Sequence, residues 1–231
     1  MFSRLELLIG KDGIDKLKQK NIIVFGVGGV GGYVIEALIR SGIEHITIVD
    51  NDTVSLTNLN RQIIATQKTI GNNKTEVMKE RISSINPQCE VKTLNMFYLP
   101  ENANEINLKE YDYVVDAIDT ITSKIELAIR CEKEHIPLIS SMGTGNKMNP
   151  AMLEVSDIYK TSVCPLAKVM RRELKNRKIK HLKVVYSKEV PIKVAVSNEQ
   201  TNKRSVPGSN AFVPASAGLL IASEVVKDLL K

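Results

Sequence analysis

The stretch from Asn21 to Gln62, NIIVFGVGGVGGYVIEALIRSGIEHITIVDNDTVSLTNLNRQ, most constrains what this chain can fold into. Ile22 to Phe25 is an apolar run of strand length, and Gly26, Gly28, Gly29, Gly31 and Gly32 crowd the turn behind it. An amphipathic helix to about Gly42 follows, then a second strand, His45 to Val49, that ends on Asp50. Together these make a nucleotide-binding βαβ opening. The glycines let the backbone turn tightly and approach phosphate, and the helix turns free N–H groups and the positive end of its dipole toward the anion. Asp50, roughly 20 residues past the glycines, is placed to accept hydrogen bonds from ribose hydroxyls.

A glycine pattern of this kind is shared with many dehydrogenases. The polar run behind Asp50 narrows the field: Asp52, Asn58, Asn60, Arg61 and Gln62. A nicotinamide site has no need of an arginine there, whereas an enzyme directing attack at the α-phosphate of ATP does. GVGGVGG, DNDTVSLTNLNRQ, GNNKTEVMKERISSINP and DAIDT, in that order, resemble the ATP-binding domain of ubiquitin-activating-enzyme-like adenylating proteins, the ThiF/MoeB type. That resemblance covers roughly residues 2 to 160. Within it, FSRLELLIG and CPLAKVMRRELK are similar to one branch, the tRNA threonylcarbamoyladenosine dehydratases.

The resemblance implies an ATP-dependent, adenylate-forming dehydratase that cyclises threonylcarbamoyladenosine at position 37 of tRNA. It places Gly26, Gly28, Gly29 and Gly31 around the nucleotide, Asp50 on the ribose and Asn58 beside the phosphates. Arg61 and Lys74 would meet the triphosphate, Gln62 would assist, and Asp119 would hold Mg²⁺. Asp52 belongs to the same polar loop, as a nucleotide contact or as an Asx-turn residue. Asp116 reads as structural. An arginine finger reaching the partner's ATP site in a homodimer is implied for Arg4. Gly32 stands where the family has Ser, a lost hydroxyl contact of small effect. Lys147 is a candidate substrate contact; Cys164, at a helix start, reads as a capping choice rather than a nucleophile. The resemblance leaves room for a monovalent cation and for a cysteine desulfurase or sulfur-acceptor partner.

Composition bounds the setting. At 231 residues and 43% hydrophobic, the chain can bury one sizeable core. Three widely spaced cysteines (Cys89, Cys131, Cys164) and no CxxC pair argue against a disulfide framework and against structural zinc. His45, His135 and His181 lack metal-ligand spacing. No signal segment or membrane span is expected, which points to the cytoplasm. Of the net charge of +6, much sits between Lys168 and Lys188, where Arg171, Arg172, Lys175, Arg177, Lys178, Lys180 and Lys183 face only Glu173. Clustered cations attract a polyanion and release its counterions. Arg171, Arg172, Lys175, Arg177 and Lys178 are therefore the candidate tRNA contacts.

Strands alternating with helices predict an α/β fold, a Rossmann-like doubly wound, mainly parallel sheet with a C-terminal extension of short strands and helices. Residues 1–231 read as a single domain, with a nucleotide-binding half over about 21–142 and a substrate-binding and dimerisation half over about 143–231. Residues 3 to 20 read as a helix pair broken at Gly10 and Gly13. The later expectations are helices over 74–84, 120–134, 164–176 and 214–230, strands over 90–94, 111–117, 137–142, 152–155, 182–186 and 192–196, and a loop over 197–210. Two other readings share parts of this pattern: an adenylyltransferase acting on the C-terminus of a ubiquitin-like sulfur-carrier protein, and a nicotinamide-dependent dehydrogenase or nucleotide sensor.

Overall fold

The computed structural model describes residues 1–193 and 207–231. Seven strands among them form one sheet: β1 Asn21–Phe25, β2 His45–Val49, β3 Glu90–Leu94, β4 Tyr113–Asp116, β5 Leu138–Ser141, β6 Leu153–Asp157 and β7 Lys183–Ser187. They lie in the order β3-β2-β1-β4-β5-β7-β6. Every neighbouring pair is parallel except β6 with β7. Crossover helices must then cover the sheet, so strands such as NIIVF and YVVD are apolar without alternation and buried on both faces. The helices are α1 Ser3–Lys18, α2 Gly31–Arg40, α3 Lys74–Ile85, α4 Ile121–Glu134, α5 Pro165–Asn176 and α6 Val213–Leu230.

The chain winds outward from β1 through β2 to β3, then crosses back to β4 on the other side of β1. This reversal opens a crevice at the C-terminal ends of β1 and β4, where doubly wound proteins bind ligands. The main core packs α2 and α6 against the sheet through Val34, Ile35, Leu38, Ala217, Ile221 and Val225. Gly218 makes that crossing close: a Cβ there would stand 2.4 Å from the Val30 carbonyl oxygen. A buried carboxylate, Glu36, ties α2 to α3 by accepting from Arg81 Nε at 2.7 Å and Arg40 Nε at 2.8 Å. Burial pushes that carboxyl up, but the two guanidiniums outweigh it and hold it below the usual value.

Up to residue 142 the expected strands and crossover helices are present, with ends shifted by a residue or two. In the C-terminal part, the expected strands over 152–155 and 182–186 and the helices over 164–176 and 214–230 are present too, and the strands join the main sheet. Val184, Val185 and Tyr186 are buried, and β7 docks beside β5 while β6 closes the edge, so both complete the main sheet. In α1 the break falls at Gly10 alone (φ 73, ψ 168), while Gly13 is helical and buried against Ile9. Of the strand expected over 192–196, Ile192 and Lys193 are not in a strand, and residues 194–196 lie outside the described residues. So do residues 197–206 of the expected loop.

Candidate nucleotide site

A cavity of about 630 Å³ opens at the switch point. Its floor is the glycine turn between β1 and α2. Gly26 has φ +93, and a Cβ there would lie 2.7 Å from the Ala117 carbonyl oxygen. Gly31 is more demanding: its Cβ would stand 1.8 Å from the Gly26 carbonyl oxygen, so the turn closes only on a hydrogen. Gly26, Gly28 and Gly29 line the cavity, whereas Gly31 lies behind it and shapes the turn. Gly32 is likewise away from the lining and faces Ile63, so a missing hydroxyl there takes nothing from the cavity wall.

Asp50, just past β2, accepts from Val27 N–H at 2.6 Å and from Asp52 N–H at 2.8 Å. The second bond makes Asp50, not Asp52, the Asx-turn residue. A carboxylate has lone pairs for more partners, so Asp50 remains able to accept from a ribose. Asp52 instead pairs with Lys74, Oδ2 to Nζ at 2.7 Å. Lys74 opens α3 and is only 5% exposed, so it is not a surface lysine. Main-chain bonds bring the two together: Lys74 N–H donates to the Asp52 carbonyl at 3.0 Å, and Val54 N–H to Asn72 at 2.9 Å.

Between them, Asn58 is buried and its Oδ1 accepts from Ser55 N–H at 3.1 Å, fixing the turn that carries Arg61 and Gln62. Arg61 folds onto that turn, with Nη1 donating to the Thr57 carbonyl at 2.8 Å and Asn60 Oδ1 at 2.9 Å. Gln62 is buried, and its Oε1 has no hydrogen-bond partner among the described residues. A buried amide oxygen without a donor is costly, and a ligand or water in the cavity offers one. Asn58, Arg61, Gln62, Lys74, Asp50 and Asp52 all line the cavity. Asp119 joins them from the loop between β4 and α4, exposed at its C-terminal edge. Asp116 is fully buried and pairs with Lys124 at 2.9 Å, as a structural carboxylate would.

Two groups of lining residues were not expected from the sequence. Met96, Phe97 and Tyr98, behind β3, line the cavity, as do Ser141 to Gly145, Leu166, Pro207, Ser209 and Pro214. An aromatic pair inside an otherwise polar loop at a strand's C-terminal end was the available signal. Tyr98 packs edge-on to Phe25 with ring centroids 4.8 Å apart, and burial pushes its hydroxyl up to about 12.

The remaining candidates lie elsewhere. Lys147 is buried outside the lining, with Nζ on the Glu189 carbonyl at 2.5 Å, and desolvation lowers its pKa against the opposing influence of Cys164 and Glu189. It is a structural lysine rather than a lining one. Cys164 is buried at the α5 N-cap and does not line the cavity. Burial raises the Cys89 and Cys131 thiols to about 12, so neither offers a thiolate near neutral pH. Arg4 is exposed on α1 and does not line its own chain's cavity. No group of three or more His, Cys, Asp or Glu residues among those described could hold a metal ion by itself.

The basic segment divides. Lys168, Arg172 and Lys175 are exposed and recur at helical spacing along α5, with Arg177, Lys178 and Lys180 exposed beyond it. Arg171 is partly buried and donates to the Thr161 carbonyl at 3.0 Å. Arg177 is paired with Glu173 at 2.8 Å. Lys183 leaves the surface run altogether, pairing with Glu224 at 2.7 Å and Asp228 at 2.8 Å on α6.

Sheet order, switch-point cavity and glycine turn define a nucleotide-binding doubly wound α/β protein. The ThiF family model matches residues 2–231, and the chain belongs to that family. It is 47% identical over 240 residues to the tRNA threonylcarbamoyladenosine dehydratase of Bacillus subtilis, covering 100% of this chain and 94% of that protein. The Haemophilus influenzae protein of the same name is 35% identical, with 100% and 93% covered. Among solved structures, the chain resembles E. coli tRNA N6-threonylcarbamoyladenosine dehydratase, TcdA, in complex with AMP. That match has a TM-score of 0.89 at 35% identity and covers 99% of this chain and 93% of that one; the complex with ATP scores 0.88.

Proposed function

We propose that this protein is the ATP-dependent dehydratase that cyclises N6-threonylcarbamoyladenosine at position 37 of tRNA through an acyl-adenylate. The observation that carries the chemistry is Lys74, buried and held by Asp52 in the cavity that also contains the glycine turn, Arg61 and Asp119. A dehydrogenase has no use for that cation; an adenylating enzyme needs it to offset phosphate charge.

The substrate's threonyl carboxylate attacks the α-phosphorus of ATP, forming the acyl–phosphate bond and expelling pyrophosphate. The modification's own carbamoyl group then attacks the activated carbonyl, loses a proton and releases AMP, so the nucleoside loses one water overall. Both nucleophiles belong to the substrate, and the enzyme's task is positioning and charge neutralisation. Asp50 holds the ribose, the glycine turn offers N–H groups to phosphate, and Met96 to Tyr98 supply an apolar wall for the base. Arg61 and Lys74 meet the triphosphate. The buried Gln62 oxygen accepts a donor from the bound substrates.

Mg²⁺ fits the residues present. It takes few protein carboxylates and shares the phosphates, and Asp119 lines the cavity from the loop between β4 and α4, at the C-terminal end of a strand. Asp119 would hold the ion, which when bound neutralises charge on the phosphoryl oxygens. The exposed stripe of α5 takes the tRNA backbone. A second copy of the chain brings Arg4 to the site; exposed Leu7 and Leu8 on the same helix support that arrangement. A cytoplasmic setting follows from the substrate. No helix among the described residues is long and apolar enough to cross a membrane.

The test is mass spectrometry of nucleosides from tRNA carrying threonylcarbamoyladenosine, incubated with the protein and Mg²⁺, with and without ATP. Loss of one water only with ATP is expected. No loss, with ATP still raising the melting temperature, moves a carrier-protein carboxylate to first place. A melting response to NAD(H) instead of ATP defeats adenylation.

A further inference from the structure

Beneath the loop that carries Asp119 lies a charged network that the proposed chemistry does not use. Asp116, the last residue of β4, and Lys124, in the first turns of α4, are both fully buried and sit 2.9 Å apart. Asp116 Oδ1 accepts from Ile118 N–H at 3.1 Å, and Oδ2 accepts from Ser140 Oγ on β5 at 2.5 Å. Lys124 Nζ donates to the Ile118 carbonyl at 3.0 Å, and its own N–H donates to Thr120 at 3.2 Å. The preceding residue, Ala117, is tied to β1 through its N–H on the Phe25 carbonyl at 2.8 Å.

Two facts set this pair apart from ordinary surface charge. Lys124 lies on the apolar stripe of α4, in line with Leu127, Ala128 and Cys131, where packing alone calls for a hydrocarbon. A desolvated ion pair is also weak evidence for stability, because an apolar pair of the same volume often serves as well. What this pair does that an apolar pair cannot is hold both polar groups of Ile118. The carbonyl it holds belongs to the peptide unit leading into Asp119, so the ammonium fixes the direction from which that carboxylate enters the cavity.

We propose that Lys124, with Asp116 and Ser140, is a positioning network for Asp119, setting the geometry in which the cavity receives the divalent cation of an ATP complex. The proposal rests on the adenylating reading of this site. Removing such support from a metal-holding carboxylate typically lowers metal affinity or activity by about 10–100-fold while leaving the fold in place.

The Asp116→Asn/Lys124→Met double variant removes both charges together and strands neither. It is expected to melt cooperatively and to respond to a non-hydrolysable ATP analogue without metal as the parental protein does. The Mg²⁺ concentration giving half of the further, metal-dependent rise in melting temperature should increase about tenfold or more. Turnover should fall about 10–100-fold with the KM for tRNA unchanged. A folded double variant with parental Mg²⁺ dependence and turnover overturns the proposal, since a purely structural pair would move only the melting temperature. Should the double variant not fold, Ser140→Ala removes a single hydrogen bond and is expected to raise the Mg²⁺ requirement about threefold; an unchanged requirement overturns the proposal equally. The metal-dependent melting shift is read without tRNA. A parental protein that shows this shift yet leaves the nucleoside intact would sink the dehydratase reading and leave the network's role to be judged on the shift alone.

Discussion

The loop from Asp50 to Lys74 and the segment from Pro165 to Lys188 are both rich in polar side chains, but they hold them in opposite ways. In the loop, side-chain positions are set by main-chain bonds: Asp50 by Val27 and Asp52, Asn58 by Ser55, Lys74 by a short ladder that returns it to Asp52. Lys74 is nearly sealed from solvent while its partner Asp52 stays 60% exposed, so the pair faces the cavity with a fixed cation. Along α5 the exposed cations project from the helix, and Glu173 holds Arg172 at 3.0 Å and, just past the helix end, Arg177 at 2.8 Å. Exposed pairs of that kind contribute little to stability. Phosphoryl chemistry needs atoms fixed to fractions of an ångström, whereas a nucleic-acid backbone needs charge density and tolerates movement.

That contrast can be broken in several places. The largest effect should come from Gly31→Ala, whose new methyl would meet the Gly26 carbonyl; no soluble, ATP-responsive protein is expected. A melting curve within a few degrees of the parental one would show that the turn has slack. Next, Asp119→Ala and Arg61→Ala should each lower ATP-dependent water loss about 10²–10³-fold with the fold intact. Retention of a tenth of the parental rate by either would remove that side chain from the phosphate site. Smaller still is the α5 stripe. Replacing Lys168, Arg172 and Lys175 together with Ala should weaken tRNA binding about 10–100-fold at low salt and flatten the log–log salt slope by about 2 to 3. Arg171→Ala should leave that slope alone and cost about 1 kcal/mol of stability through the lost Thr161 bonds. The reverse pattern would put Arg171, not the stripe, on the nucleic acid.

The smallest effect concerns Lys183, the cation of the basic run that turns inward. Burial pushes its partner Asp228 up, but hydrogen bonds from Lys183, Lys231 and Tyr113 outweigh it and hold the carboxyl at about 2, below its ordinary 3.8. A depressed folded-state pKa stabilises above the unfolded value and loses that contribution as pH falls through the folded one. Melting temperature should therefore drop between pH 4 and pH 2, and Asp228→Asn should shrink that drop. An unaltered acid limb in the variant would mean that the pair adds nothing measurable.

What the sequence made legible was local. An apolar run, a glycine turn and a helical period specify β1, α2 and β2 without reference to the rest of the chain. Asp50 to Lys74 followed because their spacing keeps them on one loop, whereas Asp119 comes from the loop between β4 and α4. What escaped depends on distant partners. That β7 enters the sheet between β5 and β6 is a matter of strand order, which no local pattern carries. Arg171 and Lys183 look like their neighbours until Thr161 and α6 are seen beside them. Lys124 stands on the apolar stripe of α4, but only the fold shows the carboxylate and the carbonyl it meets there. The Asx turn lies two residues before Asp52, the position the sequence offered for it, since only the fold shows that Asp50 accepts from Asp52 N–H.

The crossing of α6 over α2 has a consequence for how the molecule comes into being. α6 follows every described strand in the chain, yet Gly218 seats it on α2 and Pro214 forms part of the cavity wall. A nascent chain emerging from the ribosome can thus complete its sheet while the nucleotide crevice still lacks a side. Photolabelling of arrested chains by an ATP analogue should begin only once Leu230 has cleared the exit tunnel, and labelling of chains arrested before Val213 would refute that order.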